Sequence, residues 1–281
     1  MKRSCFPALL IVFVLVLTST VFSQTAPEAS AVQTKAPKAA PEAKTQEELD
    51  AFMAATAVKD LTAAEAAADD FASKFPDSTL RAGVYSNLMQ QYQKLEKPEK
   101  AILMGRKVLS LDPENPLALV VTATSLVENT HETTPDREQR LNEAAKNADT
   151  AVKTMDDNLI VAQLTPEQAT AMKTALLTAA HYASGLVAYK QEKWDAAELH
   201  FKAAVAANPS QPDPRTFMYL AIAQDRLKKY NEALDSINKA IASADTQKNT
   251  AVANAARDYK KRLVQLAAQT APKKPGKHVK K

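Results

Sequence analysis

The residues best suited to metal or acid–base chemistry are the four histidines of the 281-residue chain. His131 is followed by Glu132, but the second histidine that a zinc-binding helix requires is missing from the next turn. His181 and His200 fall on consecutive predicted helices and could approach each other, yet the sequence supplies no third ligand for them. We therefore predict no metal site and expect these histidines to pack or to face solvent.

The other residues that could support catalysis form no catalytic motif. Only four glycines occur, and none lies in a phosphate-binding loop or a dinucleotide fingerprint. Serines are present without the strand–turn–helix context of a nucleophile elbow. Acidic pairs such as Asp69-Asp70 lie at predicted helix ends or on polar faces, where solvation explains them. The sequence therefore predicts a protein that is not an enzyme and that needs no cofactor.

Residues 1–23 have the layout of a secretory signal peptide. Two basic residues precede an apolar run from Phe6 to Leu17, and small or aliphatic residues then lead to a cleavage point after Ser23. An uncleaved membrane anchor is the alternative, although the run is shorter than the roughly 20 residues that span a bilayer. The single cysteine, Cys5, lies inside this segment, so the cleaved chain would contain no disulfide. We expect an exported protein that contacts the membrane only before cleavage.

The basic character of the chain is confined to its two ends. The formal charge is +4, but Lys2, Arg3 and five terminal lysines carry seven positive charges, which leaves −3 for the residues between them. A mildly acidic body does not resemble a nucleic-acid-binding domain, so no nucleic-acid partner is expected. The terminal lysines could contact an anionic wall polymer or lipid headgroups, or they could be a solvated end that aids solubility. They are Lys273, Lys274, Lys277, Lys280 and Lys281.

The clearest structural pattern runs from Trp194 to Pro209. Ala197, Phe201 and Ala204 are spaced i, i+4 and i+7, so they share one stripe of a helix. Two small residues beside one large ring let a second helix approach closely, and the ring fills the remaining gap. Pro209 ends the helix, because proline drives the residue before it out of the α region.

This spacing resembles the second helix of a tetratricopeptide repeat, a helix–turn–helix unit of about 34 residues. The resemblance is to secreted bacterial proteins of that family, and it covers roughly residues 45–268. It implies an all-α, right-handed superhelical solenoid of about 10–11 helices. It also implies a location in the periplasm or cell envelope of a bacterium.

The repeats are regular in only part of the chain. The units that match the pattern well are 82–115, 178–211 and 214–245, and the degenerate units are 45–78 and 116–157. Small and large apolar residues at the repeat positions are expected to pack the helices together. They are Tyr85, Leu88, Tyr92, Ala101, Gly185, Ala197, Phe201, Ala204, Pro209, Phe217, Leu220, Ala233, Ile237 and Ala240.

Segments outside these units are expected to have other roles. Residues 24–44 are rich in Ala and Pro and are predicted to form a disordered linker, while 269–281 are predicted to form a disordered basic tail. A one-sided helix over 247–268 is expected to cap the open end of the solenoid. Two irregular stretches, 129–135 and 156–164, could form a binding feature or could be tolerated loop growth.

The resemblance implies a partner-binding groove on the inner face of the first helices. In the C-terminal half, the corresponding positions combine tyrosines, a methionine and charged residues, which suits an apolar or aromatic peptide with some acidic character. They are Tyr182, Leu186, Tyr189, Lys190, Arg215, Met218, Ile222, Asp225 and Arg226. The alternative for the two tyrosines and the leucine is packing against the neighbouring long helix.

Two functional hypotheses follow. The first is a non-enzymatic adaptor or scaffold that binds a peptide or protein partner in the cell envelope. The second is a structural envelope protein whose lysine-rich tail contacts an anionic polymer, while the repeats act as spacers or self-associate.

Overall fold

The computed structural model describes residues 38, 40–159 and 164–270. Within these residues the chain forms eleven α-helices and no strand, which confirms the all-α prediction. In chain order the helices are α1 (Gln46–Ala57), α2 (Leu61–Lys74), α3 (Arg81–Lys94), α4 (Pro98–Leu111), α5 (Pro116–Glu128), α6 (Arg137–Asn158), α7 (Pro166–Lys190), α8 (Trp194–Ala207), α9 (Pro214–Arg226), α10 (Tyr230–Thr246) and α11 (Thr250–Thr270). None of these helices is both long enough and apolar enough to cross a bilayer.

Four sequence predictions concern residues that lie wholly or partly outside this description. The signal peptide at 1–23 and the lysines from Lys273 onward lie wholly outside it, and only residues 38 and 40–44 of the predicted linker lie inside it. The predicted 156–164 loop is described only in part, because residues 160–163 are not described. Its first three residues belong to α6, which continues to Asn158.

Several helices begin where a polar side chain caps the first turn. Asn115 accepts a hydrogen bond from the Ala118 N–H and precedes a proline at the first position of α5. Thr165 and Gln168 form a reciprocal capping box at the start of α7, with N···O distances of 3.3 and 3.0 Å. These caps supply acceptors for N–H groups that have no partner inside the helix.

Four turns between helices share one backbone geometry. Their central residues are left-handed, with φ between 53° and 62°, although none is a glycine; they are Glu96, Glu192, Lys228 and Lys248. After each, the next N–H donates to a carbonyl in the last turn of the preceding helix, as from Lys193 to Ala188 O at 2.8 Å. This is the Schellman ending of a helix. Its recurrence at the α3–α4, α7–α8 and α9–α10 turns identifies those helix pairs as copies of one unit.

The helices pack as a solenoid. Each helix contacts the one that follows it, and each odd-numbered helix from α1 to α9 also contacts the next odd-numbered helix. Neighbours in sequence are therefore neighbours in space, as in repeat proteins. The odd-numbered helices are the first helices of successive units, and their mutual contacts place them along one side.

The structure buries all but one of the residues expected to pack the repeats. Ala197, Phe201 and Ala204 are at most 1% exposed, and the aromatic and aliphatic residues of the other units are buried as well. Pro209 is the correction: it is exposed and follows the end of α8 at Ala207. Its effect is to stop the helix, because its ring cannot continue the helical backbone.

The final helix begins later than the sequence indicated. α10 continues to Thr246, and the left-handed Lys248 then turns the chain before α11 starts at Thr250. The helix therefore begins three residues after the predicted start at residue 247. α11 buries Ala253, Ala256 and Leu263, and its opposite face is exposed.

A glycine allows α4 and α5 to approach closely. A Cβ atom built on Gly105 would lie 2.1 Å from Thr122 Oγ1 and 3.3 Å from Met89 Sδ. Thr122 is fully buried, and its hydroxyl oxygen has no hydrogen-bond partner. The two helices therefore meet at this pair, where a larger residue cannot fit unless the Thr122 side chain or one of the helices moves.

Replacing Gly105 with alanine is expected to lower the free energy of unfolding by about 1–3 kcal/mol through overpacking. The better helix propensity of alanine offsets about 1 kcal/mol of that cost. Urea unfolding of the single variant, of Thr122→Ala and of the double variant measures the coupling. The double variant is expected to recover most of the loss, because it removes the hydroxyl that the new methyl group meets. Equal losses in the Gly105→Ala and double variants would contradict this explanation.

Candidate partner-binding face

An aromatic cluster joins α7, α8 and α9. Tyr219 of α9 lies 5.1 Å from the ring of Tyr189, 6.3 Å from that of Tyr182 and 5.7 Å from that of Phe201, between ring centroids. Tyr189 also meets Trp194 edge-on at 5.6 Å. Offset and edge-to-face contacts of this kind stabilise aromatic pairs beyond their burial. The cluster therefore holds the three helices in a defined arrangement.

Two arginines lie over this cluster, with different surroundings. The Arg215 guanidinium lies 5.4 Å from the centre of the Tyr182 ring and pairs with Asp213 at 2.8 Å and Glu128 at 3.4 Å. The hydrogen bond to Asp213 raises the pKa of Arg215 despite burial. Arg226 lies 5.2 Å from the centre of the Trp194 ring and forms no ion pair within the described part of the chain. Arg226 is thus the cation available to a partner.

Two of the predicted groove residues belong to the hydrophobic interior. Tyr182 and Leu186 are 7% and 2% exposed, and both lie in the main hydrophobic core. The Tyr182 ring packs against both Phe201 and Tyr219, so Tyr182 does not line an open groove. Burial raises the pKa of Tyr182 well above its usual value.

Asp225, another predicted groove residue, is buried and hydrogen-bonded within the fold. Its carboxylate accepts hydrogen bonds from the Tyr259 hydroxyl at 2.5 Å and from Arg262 at 3.3 Å, and its side chain is 5% exposed. Both donors belong to α11, so Asp225 anchors the capping helix to α9. The sequence pattern could not show this, because it places Asp225 on the first-helix face without showing what covers it.

Lys190 contacts the insert between α5 and α6. Its Nζ donates to the Thr130 carbonyl at 2.5 Å, and Arg137 donates to the Lys190 carbonyl. Burial, together with the nearby Arg137, lowers the pKa of Lys190. Arg140 pairs with Glu99 at 2.7 Å and donates to Thr130 Oγ1 at 3.1 Å. The insert is therefore a packed part of the solenoid, and the Lys190 ammonium is directed toward it.

The remaining residues form one accessible surface, which we call the aromatic face. Met218, Ile222 and Arg226 are spaced by four on α9, so they share one stripe; the first two are partly exposed and Arg226 is exposed. Tyr189, Trp194 and Tyr219, each partly exposed, adjoin this stripe. The aromatic face consists of Tyr189, Trp194, Met218, Tyr219, Ile222 and Arg226. Sequence reasoning missed Trp194 and Tyr219 as surface residues, since only the packing of α7, α8 and α9 together brings them beside Tyr189.

The two helical histidines do approach each other. The ring centres of His181 and His200 are 6.3 Å apart, and His181 Nδ1 is buried without a hydrogen-bond partner. Burial and the neighbouring His200 lower the pKa of His181. Among the described residues, no group of three or more histidine, cysteine or carboxylate side chains could hold a metal ion.

Among known proteins, similarity to this chain is found with solved structures. No protein-family model and no curated protein matches the chain. A tetratricopeptide protein from Thermus thermophilus, TTC0263, is 17% identical with a TM-score of 0.45, covering 78% of this chain and 98% of its own. The type IV pilus biogenesis factor PilW is 20% identical with a TM-score of 0.44, covering 80% and 94%. Pseudomonas aeruginosa PilF is 17% identical with a TM-score of 0.47, covering 78% and 94%.

The architecture is evident in the chain's own geometry. The helices form pairs with one recurring turn, and small residues lie where the helices cross. The first helices of the pairs are aligned along one side. These are the features of helix–turn–helix repeats. The chain is an all-α solenoid of tetratricopeptide-like helix pairs.

Proposed function

We propose that the protein is a non-enzymatic scaffold that binds a protein partner through the aromatic face. The observation that carries this proposal is the exposed Arg226 over Trp194, beside the partly exposed Tyr189 and Tyr219. Trp, Tyr and Arg are the residues that dominate binding energy in protein interfaces. Here the surrounding helices hold them in place before any partner arrives, which reduces the entropy lost on binding.

The charges of the face narrow the class of partner. Arg215 is paired with Asp213 and Glu128, and the partly buried Lys190 ammonium is hydrogen-bonded to the insert, so both are already engaged within the fold. Arg226 is the cation that remains, and it adjoins the apolar side chains of Met218 and Ile222. We therefore propose an apolar or aromatic peptide segment with one carboxylate, which is less acidic than the sequence alone suggested.

We also propose that this scaffold acts in the bacterial cell envelope. The support is the signal-peptide pattern of residues 1–23, in which a basic start, a short apolar run and small residues follow in order. The lysine-rich tail could add contact with an anionic polymer, as in the alternative hypothesis.

A site-specific cross-linking experiment tests the aromatic face. A photoreactive residue at position 222 is expected to capture a specific partner in cells that express the protein. The same photoreactive residue at position 146, which is exposed on α6, should not capture that partner. Met218→Ala/Arg226→Ala is then expected to weaken binding of the captured partner at least about ten-fold, because truncating interface anchors removes most of the binding energy.

The matched control is Lys146→Ala, which removes an exposed cation outside the aromatic face and should leave the affinity unchanged. Circular dichroism checks that each variant keeps its helical content. If the double variant binds the partner as well as wild type does, the aromatic face is not the binding site. Tyr182 is not used as a test position, because truncating a buried ring would destabilise the fold.

A further inference from the structure

Residues 38 and 40–44 lie against the body of the protein ahead of the first helix; we call this segment the strap. The Lys44 ammonium donates to the Asp77 carbonyl at 2.8 Å, and the Lys44 N–H donates to Glu48 at 2.7 Å. The Glu42 carbonyl accepts from the Thr79 hydroxyl at 3.2 Å, and Lys38 forms an ion pair with Asp112. Ordered contacts therefore begin before Thr45, inside the segment that the sequence suggested was a flexible linker.

The strap crosses the links between successive repeats. Asp77 and Thr79 belong to the α2–α3 link, and Asp112 belongs to the α4–α5 link. Lys38 contacts Asp112 of the α4–α5 link, whereas Glu42 and Lys44 contact the α2–α3 link. The strap thus lies along the edge of the solenoid where first helices begin.

A cavity of about 460 Å³ lies beneath the strap. Lys38, Ala40 and Pro41 form one wall, and the opposite wall comes from the start of α3 and the α4–α5 link, including Arg81 and Asp112. Asp112 also accepts a hydrogen bond from Asn115 at 3.1 Å, which fixes the orientation of its carboxylate toward the strap. The cavity therefore has defined walls and contains a carboxylate acceptor, Asp112, whose orientation is fixed.

We propose that this link edge is a binding site for an extended peptide containing lysine and proline, and that the strap occupies it in cis. A carbonyl acceptor at Asp77 and a hydroxyl donor at Thr79 bind the segment at two points. The Asp112 carboxylate selects a lysine. Proline fits an extended chain, because its fixed φ favours that conformation and it lacks an N–H that would need an acceptor. This surface is separate from the aromatic face, so the failure of one proposal would not affect the other.

The structure predicts a consequence for any free peptide of the same chemistry. The strap competes as an intramolecular ligand, with an effective concentration in the millimolar range for a short connection. The wild-type protein should therefore bind such a peptide weakly. Weakening the strap while keeping Asp112 should make the site available.

The test uses the full chain and a labelled synthetic peptide with the sequence of residues 35–44. Fluorescence anisotropy measures its binding to wild type, to Lys38→Ala/Pro41→Gly, and to that variant with Asp112→Asn added. The strap variant is expected to bind at least about ten-fold more tightly than wild type, because its cis competitor is weakened. Adding Asp112→Asn should reverse most of that gain, whereas adding Asp157→Asn, an exposed carboxylate on α6, should not.

The same proteins report on the strap itself. Trypsin should cleave after Lys38 several-fold faster in Asp112→Asn than in wild type, and Asp157→Asn should match wild type. If the strap variant fails to bind the peptide, or binds it equally well without Asp112, the link edge is not a peptide site. If wild type binds as tightly as the strap variant, the site is not occupied in cis.

Discussion

Replacing Phe201 with alanine is expected to lower the free energy of unfolding by about 3–5 kcal/mol, the range for a fully buried aromatic ring. Phe201 is 0% exposed and stacks on Tyr219 with an interplanar angle of 15°. A Cβ atom built on Gly185 would lie 2.6 Å from the Phe201 ring, so the ring fills the notch that this glycine leaves in α7. Alanine would leave a cavity at the point where α7, α8 and α9 meet, and the surrounding helices could close it only partly. Urea unfolding measures the change.

The controls for this prediction lie on the same helix. Leu199→Ala removes a similar apolar volume from a side chain that is 66% exposed, so it should change stability by less than about 0.5 kcal/mol. Phe201→Leu retains most of the volume and should cost less than Phe201→Ala. A loss below about 1 kcal/mol for Phe201→Ala would show that this helix crossing is not the packing centre that the structure indicates.

Replacing Glu198 with glutamine is expected to destabilise the fold by about 1–3 kcal/mol at neutral pH. The Glu198 side chain is 7% exposed and accepts from Lys202 at 2.7 Å, from Lys229 at 2.6 Å and from Gln224 at 3.3 Å. Gln224 in turn accepts from the Ser236 hydroxyl at 2.7 Å. Removing the carboxylate leaves this buried network without its negative charge, and the cost is moderated because both lysines are partly exposed to water.

The same carboxylate makes stability depend on pH. Burial alone would raise the pKa of Glu198, but the hydrogen bonds from Lys202, Lys229 and Gln224 outweigh it and lower the pKa from 4.5 to about 2. A lowered pKa in the folded state stabilises the protein above pH 4.5, and that stabilisation is lost as the pH falls from 4.5 toward 2. At 1.36 kcal/mol for each pH unit, the loss is at most about 3 kcal/mol.

Urea unfolding from pH 7 down to pH 2.5 checks this dependence. The difference in stability between wild type and Glu198→Gln should shrink below pH 4.5, because protonation removes the charge that the variant lacks. Asp235→Asn is the control, since its exposed i,i+4 pair with Lys239 should contribute less than about 0.5 kcal/mol. A constant difference between wild type and Glu198→Gln across the range would show that Glu198 has an ordinary pKa in the folded protein.

Local patterns in the sequence were informative wherever a single helix decides the outcome. The stripe of Ala197, Phe201 and Ala204 depends only on helical spacing, and the start of α7 depends only on the local chemistry of Thr165 and Gln168. The left-handed turns at Glu96, Glu192 and Lys228 carried no such signal, because glycine is the usual residue in that conformation. The hydrogen bonds of the repeat unit hold these residues there.

The sequence by itself determined the all-α repeat architecture of the described chain and the small and large residues at its helix crossings. Only the tertiary structure decided which polar and aromatic residues are available to a partner. Tyr182 and Asp225 lie on the first-helix face by spacing, yet packing against Tyr219 and α11 removes them from it. Strap contacts with Asp77 and Asp112 likewise join residues 33 to 74 positions apart. Periodicity reports which side of a helix a residue faces, whereas the neighbouring helices decide what covers that side.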